Sequence, residues 1–266
     1  MRKGAIQLLK INNKANEAEI YISGDIVDDQ TGGMISEWWE NTEGYEWPKA
    51  LKEQLDAVKG KKLTVYINSY GGSVPAGVAM ANMISRHDGD TTAVIDGFCC
   101  SIATQIFFAA KHREMPSNAY LMIHKPSTFA DGDANDMRKA AEVLDVLQTG
   151  LETVYQQAAL DGVTAEEIHE MTEAETWLTG EDAAKIFDIK LLDAQKTVNC
   201  IGSRDALKRI GCMNIPDKIS FESKAEEPKD KKPQKEGGVP KETANCKDAE
   251  SRVKIAVALA KGEIER

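Results

Sequence analysis

Two short segments of this chain carry side chains that together could attack a carbonyl. A serine sits among small residues in Gly97-Phe98-Cys99-Cys100-Ser101-Ile102-Ala103, and a histidine follows in Leu121-Met122-Ile123-His124-Lys125-Pro126. A serine hydroxyl is a weak nucleophile until a base accepts its proton, and a neutral imidazole with a pKa near ~6.5 suits that task. His124 is therefore the candidate base for Ser101. Ahead of both, Tyr66-Ile67-Asn68-Ser69-Tyr70-Gly71-Gly72-Ser73-Val74 supplies a glycine turn whose backbone amides could hold an oxyanion. Ser101 reads as the opening residue of a helix, where N–H groups and the positive dipole end meet developing negative charge. The amides of Gly72 and Ile102 are the candidate donors, with glycine at 72 leaving room for a substrate carbonyl. Singly, a Gly-Gly pair is a turn and a helix-opening serine is a cap; their joint occurrence points to acyl transfer.

Rival readings attach to nearby residues. A thiolate at Cys100 could replace the hydroxyl, although adjacent small cysteines more often let a helix approach a sheet. His87, His112 and His169 stand in helix-end, turn and polar-helix contexts that suit solvated roles. An imidazole acting as a base needs a carboxylate to orient it, and the residues alone leave Asp131, Asp133, Glu173, Glu175 and Asp182 open.

The elements that must position these groups alternate. Glu19–Ile26, Lys62–Asn68, Thr91–Ile95, Ala119–His124 and Ile189–Leu192 read as strands; Pro48–Val58, Ala76–Arg86 and Ser101–Ala110 read as helices. Alternation of this kind predicts an α/β layered fold with parallel strands. Met137, Ala141, Leu144, Leu147, Leu151, Val154 and Tyr155 recur every three or four residues and predict one long amphipathic helix over 134–159. Thr164-x-x-Glu167 is a capping box that starts a further helix, and Thr179-Gly180-Glu181-Asp182 resembles another start. Trp38, Trp39 and Trp47 form a cluster suited to the core or to a subunit interface.

The composition narrows the function classes. A formal net charge of −10 argues against a general nucleic-acid binder. The apolar run Gly4–Leu9 is too short for a signal peptide, and no later run is long enough to span a bilayer. Five cysteines without paired spacing fit a reducing cytoplasm and give little support to a structural zinc site. No cofactor is called for. After about Phe221 the chain turns rich in Lys, Glu, Pro and Gly, as in a disordered linker. The expected organisation is an N-terminal segment over 1–18, a catalytic domain over 19–221, a charged linker over 222–248 and a short helical tail over 249–266.

The motifs resemble the Clp protease proteolytic subunit family, and among its members the bacteriophage Clp-like head maturation proteases. The anchors are Ile67-Asn68-Ser69-x-Gly71-Gly72-Ser73-Val74 with Ala76-Gly77, then Gly97-x-x-x-Ser101, Met122-Ile123-His124-x-Pro126 and Glu175-Thr176-Trp177-Leu178-Thr179. The resemblance spans about Ile20 to Asp193. It implies the layered fold shared with crotonases, Ser101 as nucleophile, His124 as base, and Gly72 and Ile102 as oxyanion donors. It also places the family's acid on Glu175, where cellular members carry aspartate. The long helix would be the protruding handle through which rings of subunits stack. Tyr70 in place of a turn proline, the Trp-rich segment Glu37–Trp47 and the tail depart from the cellular pattern. These departures favour a phage enzyme acting on capsid or scaffold precursors in a host cytoplasm, and leave open any ATP-driven unfoldase partner. An ATPase-coupled general protease, a crotonase-like acyl-CoA enzyme and a non-catalytic assembly protein are the alternatives.

Overall fold

Strict alternation of buried and half-exposed residues builds the central strands, because successive side chains leave a strand on opposite faces. In the computed structural model, which describes residues 12–13, 15–38 and 44–194, this pattern runs through β2 (Glu17–Ile26) and β4 (Lys62–Gly72). Ile20, Ile22, Val65 and Ile67 point into the core at no more than 1% exposure, each stabilising the fold by about 1.5–3 kcal/mol relative to an exposed position. The other described elements are, in chain order, β1 (Asn12–Asn13), α1 (Asp29–Trp38), β3 (Tyr45–Glu46), α2 (Pro48–Ala57), α3 (Val74–Ser85), β5 (Thr91–Cys100), α4 (Ala103–Phe108), β6 (His112–Pro116), β7 (Tyr120–Ile123), α5 (Ala134–Ala158), α6 (Ala165–Glu173), β8 (Thr176–Thr179), α7 (Gly180–Ile186) and β9 (Lys190–Leu192). The fold is α/β, with one mixed sheet of these strands ordered β1-β2-β4-β5-β6-β9.

The β2–β4–β5–β6 ladders are parallel, as the βαβ alternation predicts. Two pairings are not: β1 runs antiparallel to β2, and β8 antiparallel to β7. The edge of β5 is divided. Its first half pairs with β6 through Thr92–Val94, and its last residues, Phe98–Cys100, pair with β7. This division lets β7 end beside the end of β5.

Several boundaries differ from those expected. Strands β4 and β5 continue through Gly71-Gly72 and Gly97-Phe98-Cys99-Cys100, since these small or buried residues extend the ladders instead of ending them. The helix expected from Ser101 begins only at Ala103. His112 opens β6 rather than lying in a turn. Helix α1 was masked in the sequence by Gly32-Gly33; Gly32 is admitted because the Trp47 ring lies where its Cβ would stand, 2.4 Å away. The tryptophans divide accordingly, with Trp47 at 9% exposure and Trp38 at 59%, while Trp39 lies outside the described residues.

The long helix is present as α5, with Asp133 as its N-cap in a reciprocal capping box with Asp136. Leu151, Tyr155 and Ala158 pack into the core, whereas Met137, Val143 and Val146 nearer its start are exposed. The capping box at Thr164 and the cap at Thr179 start α6 and α7 as read. No described helix is long and apolar enough to cross a membrane. The charged linker over 222–248 and the tail over 249–266 lie outside the described residues.

Candidate active site

Ser101 stands in the bend between β5 and α4, in the left-handed region at φ +56°. A non-glycine residue held there stores strain of order 1–3 kcal/mol and persists only where its surroundings fix it. The fixing contacts are visible. Its N–H donates to the Met122 carbonyl at 2.9 Å, tying the bend to β7. Its own carbonyl accepts the Thr104 hydroxyl at 2.5 Å. Tyr155 of α5 lies 2.8 Å from that hydroxyl and donates to it; burial pushes the phenol up to about 12, so it stays a neutral donor. The serine therefore precedes the helix as a constrained elbow, rather than capping it.

His124 follows the last residue of β7, and its Nε2 lies 2.8 Å from Ser101 Oγ. With the ring proton on Nδ1, Nε2 accepts the serine hydroxyl. At 6% exposure the ring is largely enclosed. Burial pushes its pKa below the ordinary histidine value, and the negative charge of Glu175 partly opposes that shift. The imidazole is thus neutral and able to accept a proton at neutral pH.

The antiparallel β7–β8 ladder explains how Glu175 comes near. Ile123 pairs with Thr176 at the end of that ladder, so His124, the next residue, and Glu175, the preceding one, leave it at the same end, and the Glu175 charge acts on the His124 imidazole. Glu175 is the bend residue between α6 and β8, at φ +52°. Ser101 and Glu175 are the two non-glycine residues with positive φ among those described. Three of the other carboxylates considered are engaged elsewhere. Glu173 accepts from Lys125 at 2.7 Å and from Gln148 at 2.9 Å, Asp133 caps α5, and Asp182 accepts from Thr179 and Lys185. Asp131 is exposed in the loop before α5.

The Gly71-Gly72 end of β4 meets the elbow through Gly71. A Cβ on Gly71 would lie 2.7 Å from Ser101 Cβ, 2.8 Å from the Cys100 carbonyl and 3.2 Å from the Ile102 nitrogen. Gly72 needs to be glycine for a different reason from that expected. At φ +145° its missing side chain makes room for the β2 backbone, since a Cβ would fall 2.1 Å from the Ile26 carbonyl oxygen, and no substrate enters that argument. Gly77 has a similar role in α3, where a Cβ would lie 2.3 Å from the Ile102 side chain. We expect Gly72→Ala to destabilise the fold by about 3 kcal/mol or more, from backbone overlap together with an unfavourable φ. Urea denaturation measures this, and a loss below about 0.5 kcal/mol would contradict it.

The remaining candidates are accounted for locally. Cys99 and Cys100 are fully buried, so neither thiol is open to solvent, and burial raises the Cys99 thiol pKa far above its ordinary value. His87 Nε2 bonds to the Lys61 carbonyl, His112 pairs with Asp90, and His169 pairs with Glu152. Tyr70 is 5% exposed and packs on Phe98, which stacks on Tyr120. Among the described residues, no group of three His, Cys, Asp or Glu side chains could hold a metal ion. Thr104 was not singled out from the sequence, and Tyr155, Met122 and Gly71 were read there only as stripe or motif positions, not as groups that fix the serine. Of these, Thr104 carried a local signal, a hydroxyl three residues after Ser101.

The Clp protease family profile matches residues 51–187, a span that includes Gly71, Ser101, His124 and Glu175. The chain belongs to the Clp protease family. The ATP-dependent Clp protease proteolytic subunit 2 of Bifidobacterium longum is 32% identical over 126 residues, covering 46% of this chain and 59% of that relative. The proteolytic subunit of Bacteroides fragilis is 29% identical over 133 residues, or 48% of this chain and 63% of the relative. That of Streptococcus equi subsp. equi is 34% identical over 133 residues, covering 67% of the relative. Against the first two, the chain spans about three-fifths of the relative's length.

Proposed function

We propose that this Clp protease family member is a serine endopeptidase. Ser101 attacks the scissile carbonyl, His124 takes the hydroxyl proton and returns it to the leaving amine, and Glu175 orients and stabilises the imidazolium. The amides of Gly72 and Ile102 receive the oxyanion of the tetrahedral intermediate. Water then hydrolyses the acyl-enzyme with His124 again as base. The observation that carries this reading is the 2.8 Å contact of His124 Nε2 with Ser101 Oγ, at a serine held in a left-handed bend. A crotonase-like acyl-CoA activity would leave that contact without a purpose.

The substrates are proteins or peptides, and we assign them to capsid and scaffold precursors made in the host cytoplasm. The departures from the cellular pattern at Tyr70 and in the Trp-rich segment support this. Assembly into a ring-forming homo-oligomer is supported by the exposed apolar residues Met137, Val143 and Val146 on α5. Co-expression with capsid precursors tests the substrate assignment: cleavage by the wild type and not by Ser101→Ala is expected, and intact precursors with both would reject it.

The enclosure of His124 sets the pH dependence of kcat/KM. The base works only when neutral, and burial lowers its pKa. Activity should therefore rise with pH through a midpoint below the ordinary ~6.5 and hold through neutrality. An acid-limb midpoint above that value in a peptide-hydrolysis assay would contradict the assignment.

A further inference from the structure

At the level of the Ser101 centre the sheet is irregular. The β2–β4 register shifts between Ser23 and Asp25, and the β4–β5 register between Ile67 and Ser69. Such shifts leave backbone groups without ladder partners, and side chains take their place. Phe98 N–H donates to Asn68 Oδ1 at 3.1 Å. The Ser69 hydroxyl donates to the Gly24 carbonyl at 2.5 Å and accepts the Gly71 N–H at 3.1 Å. Ser23 N–H donates to Glu46 Oε1 at 3.2 Å.

Glu46 is the unexpected member of this set. It lies on the two-residue strand β3, which straps the bulge through Asp25 N–H to the Gly44 carbonyl at 2.9 Å and Val27 N–H to the Glu46 carbonyl at 2.8 Å. Its side chain is 2% exposed, and glutamates are almost never so enclosed unless paired. Burial pushes its carboxyl up to about 8, opposed only by the Ser23 amide bond, so at neutral pH it is mainly the protonated acid. The proposed mechanism does not use it, yet the hydrogen bonds above run from it through Ser23, Gly24 and Ser69 to Gly71, which packs on Ser101 and Ile102.

We propose that Glu46 is a positioning residue for the Ser101 centre: its carboxyl holds the β2 bulge at Ser23-Gly24, through which Ser69 fixes Gly71, near the end of β4, against Ser101 and Ile102. It touches no reacting atom in this role. The kinetic consequence rests on the peptidase reading, whereas the structural consequence does not.

The full chain is compared as wild type, Glu46→Gln and Glu46→Ala. Hydrogen exchange is followed at the amides of 69–73, and kcat and KM are measured per fluorophosphonate-titrated site. Gln keeps the Oε1 acceptor and the volume of the neutral acid, so exchange and kcat within about twofold of wild type are expected. Ala removes the acceptor, and about tenfold faster exchange at Gly71 and about a tenfold lower kcat are expected, with KM changed less than about twofold. Ser69→Ala cuts the same route from the other end and should match the Ala variant in exchange, which decides the matter if Glu46→Ala does not fold. Wild-type exchange at Gly71 in Glu46→Ala or Ser69→Ala, or a Gln variant as impaired as the Ala variant, would overturn the proposal. If no variant, wild type included, hydrolyses peptide, the peptidase reading fails while the exchange data still judge Glu46.

Discussion

Replacing Ser101 with alanine is expected to remove peptide hydrolysis almost entirely, by a factor on the order of 10⁶ in kcat, while leaving the fold intact. Alanine keeps the Cβ that Gly71 was shaped to accept and loses only Oγ and its 2.8 Å contact with His124. Ser101→Gly separates strain from chemistry. It should be equally inactive, yet as stable as Ser101→Ala or more so by about 1 kcal/mol, because glycine adopts φ +56° without steric cost. A strained residue that lowers stability where function needs it is the usual trade-off at an active site. Peptide hydrolysis and urea midpoints of the two variants test both halves. Substantial activity in Ser101→Ala together with its loss in Cys100→Ala would transfer the nucleophile to the thiol.

Glu175→Gln is expected to lower kcat by up to about 10⁴-fold, the loss seen when a triad acid loses its charge but keeps its shape. In the proposed mechanism the charge of Glu175 supports the imidazolium that forms as Ser101 is deprotonated, and its removal should also shift the acid limb of the pH profile further down, because that charge now raises the His124 pKa. Glu173→Gln is the matched control. Glu173 spends its oxygens on Lys125 and Gln148 at the surface, and exposed pairs are worth about 0–1 kcal/mol, so its kcat should remain within about threefold of wild type. Full activity in Glu175→Gln with loss in Glu173→Gln would reverse the assignment of the acid.

Local signals made much of this fold legible from the sequence. The β-branched run 62–68 forms β4, the three-to-four spacing over 134–159 forms α5, and Thr164 and Thr179 cap the helices they were expected to start. Ser101 and His124 could be named because each lies at the end of a strand whose pattern is local. The form of the bend could not be read, since a helix cap and a left-handed elbow use the same Ser-Ile-Ala sequence. The β8 pairing was also hidden. Thr176-Trp177-Leu178-Thr179 is too short to carry a period, and its strand state depends on β7, more than fifty residues earlier. That pairing is what brings Glu175 and His124 to the same end of one ladder, so residue types alone left five carboxylates open. Glu46 carried no local sign of burial either, because its enclosure comes from strapping a bulge at Ser23, 23 residues before it.

The most direct measurement is reaction of the intact protein with a fluorophosphonate, followed by mass spectrometry of the modified peptide. A single adduct on Ser101, absent in Ser101→Ala and strongly slowed in His124→Ala, is the expected result. No adduct on the folded wild-type protein, or an adduct that persists in Ser101→Ala, would contradict a serine nucleophile activated by His124.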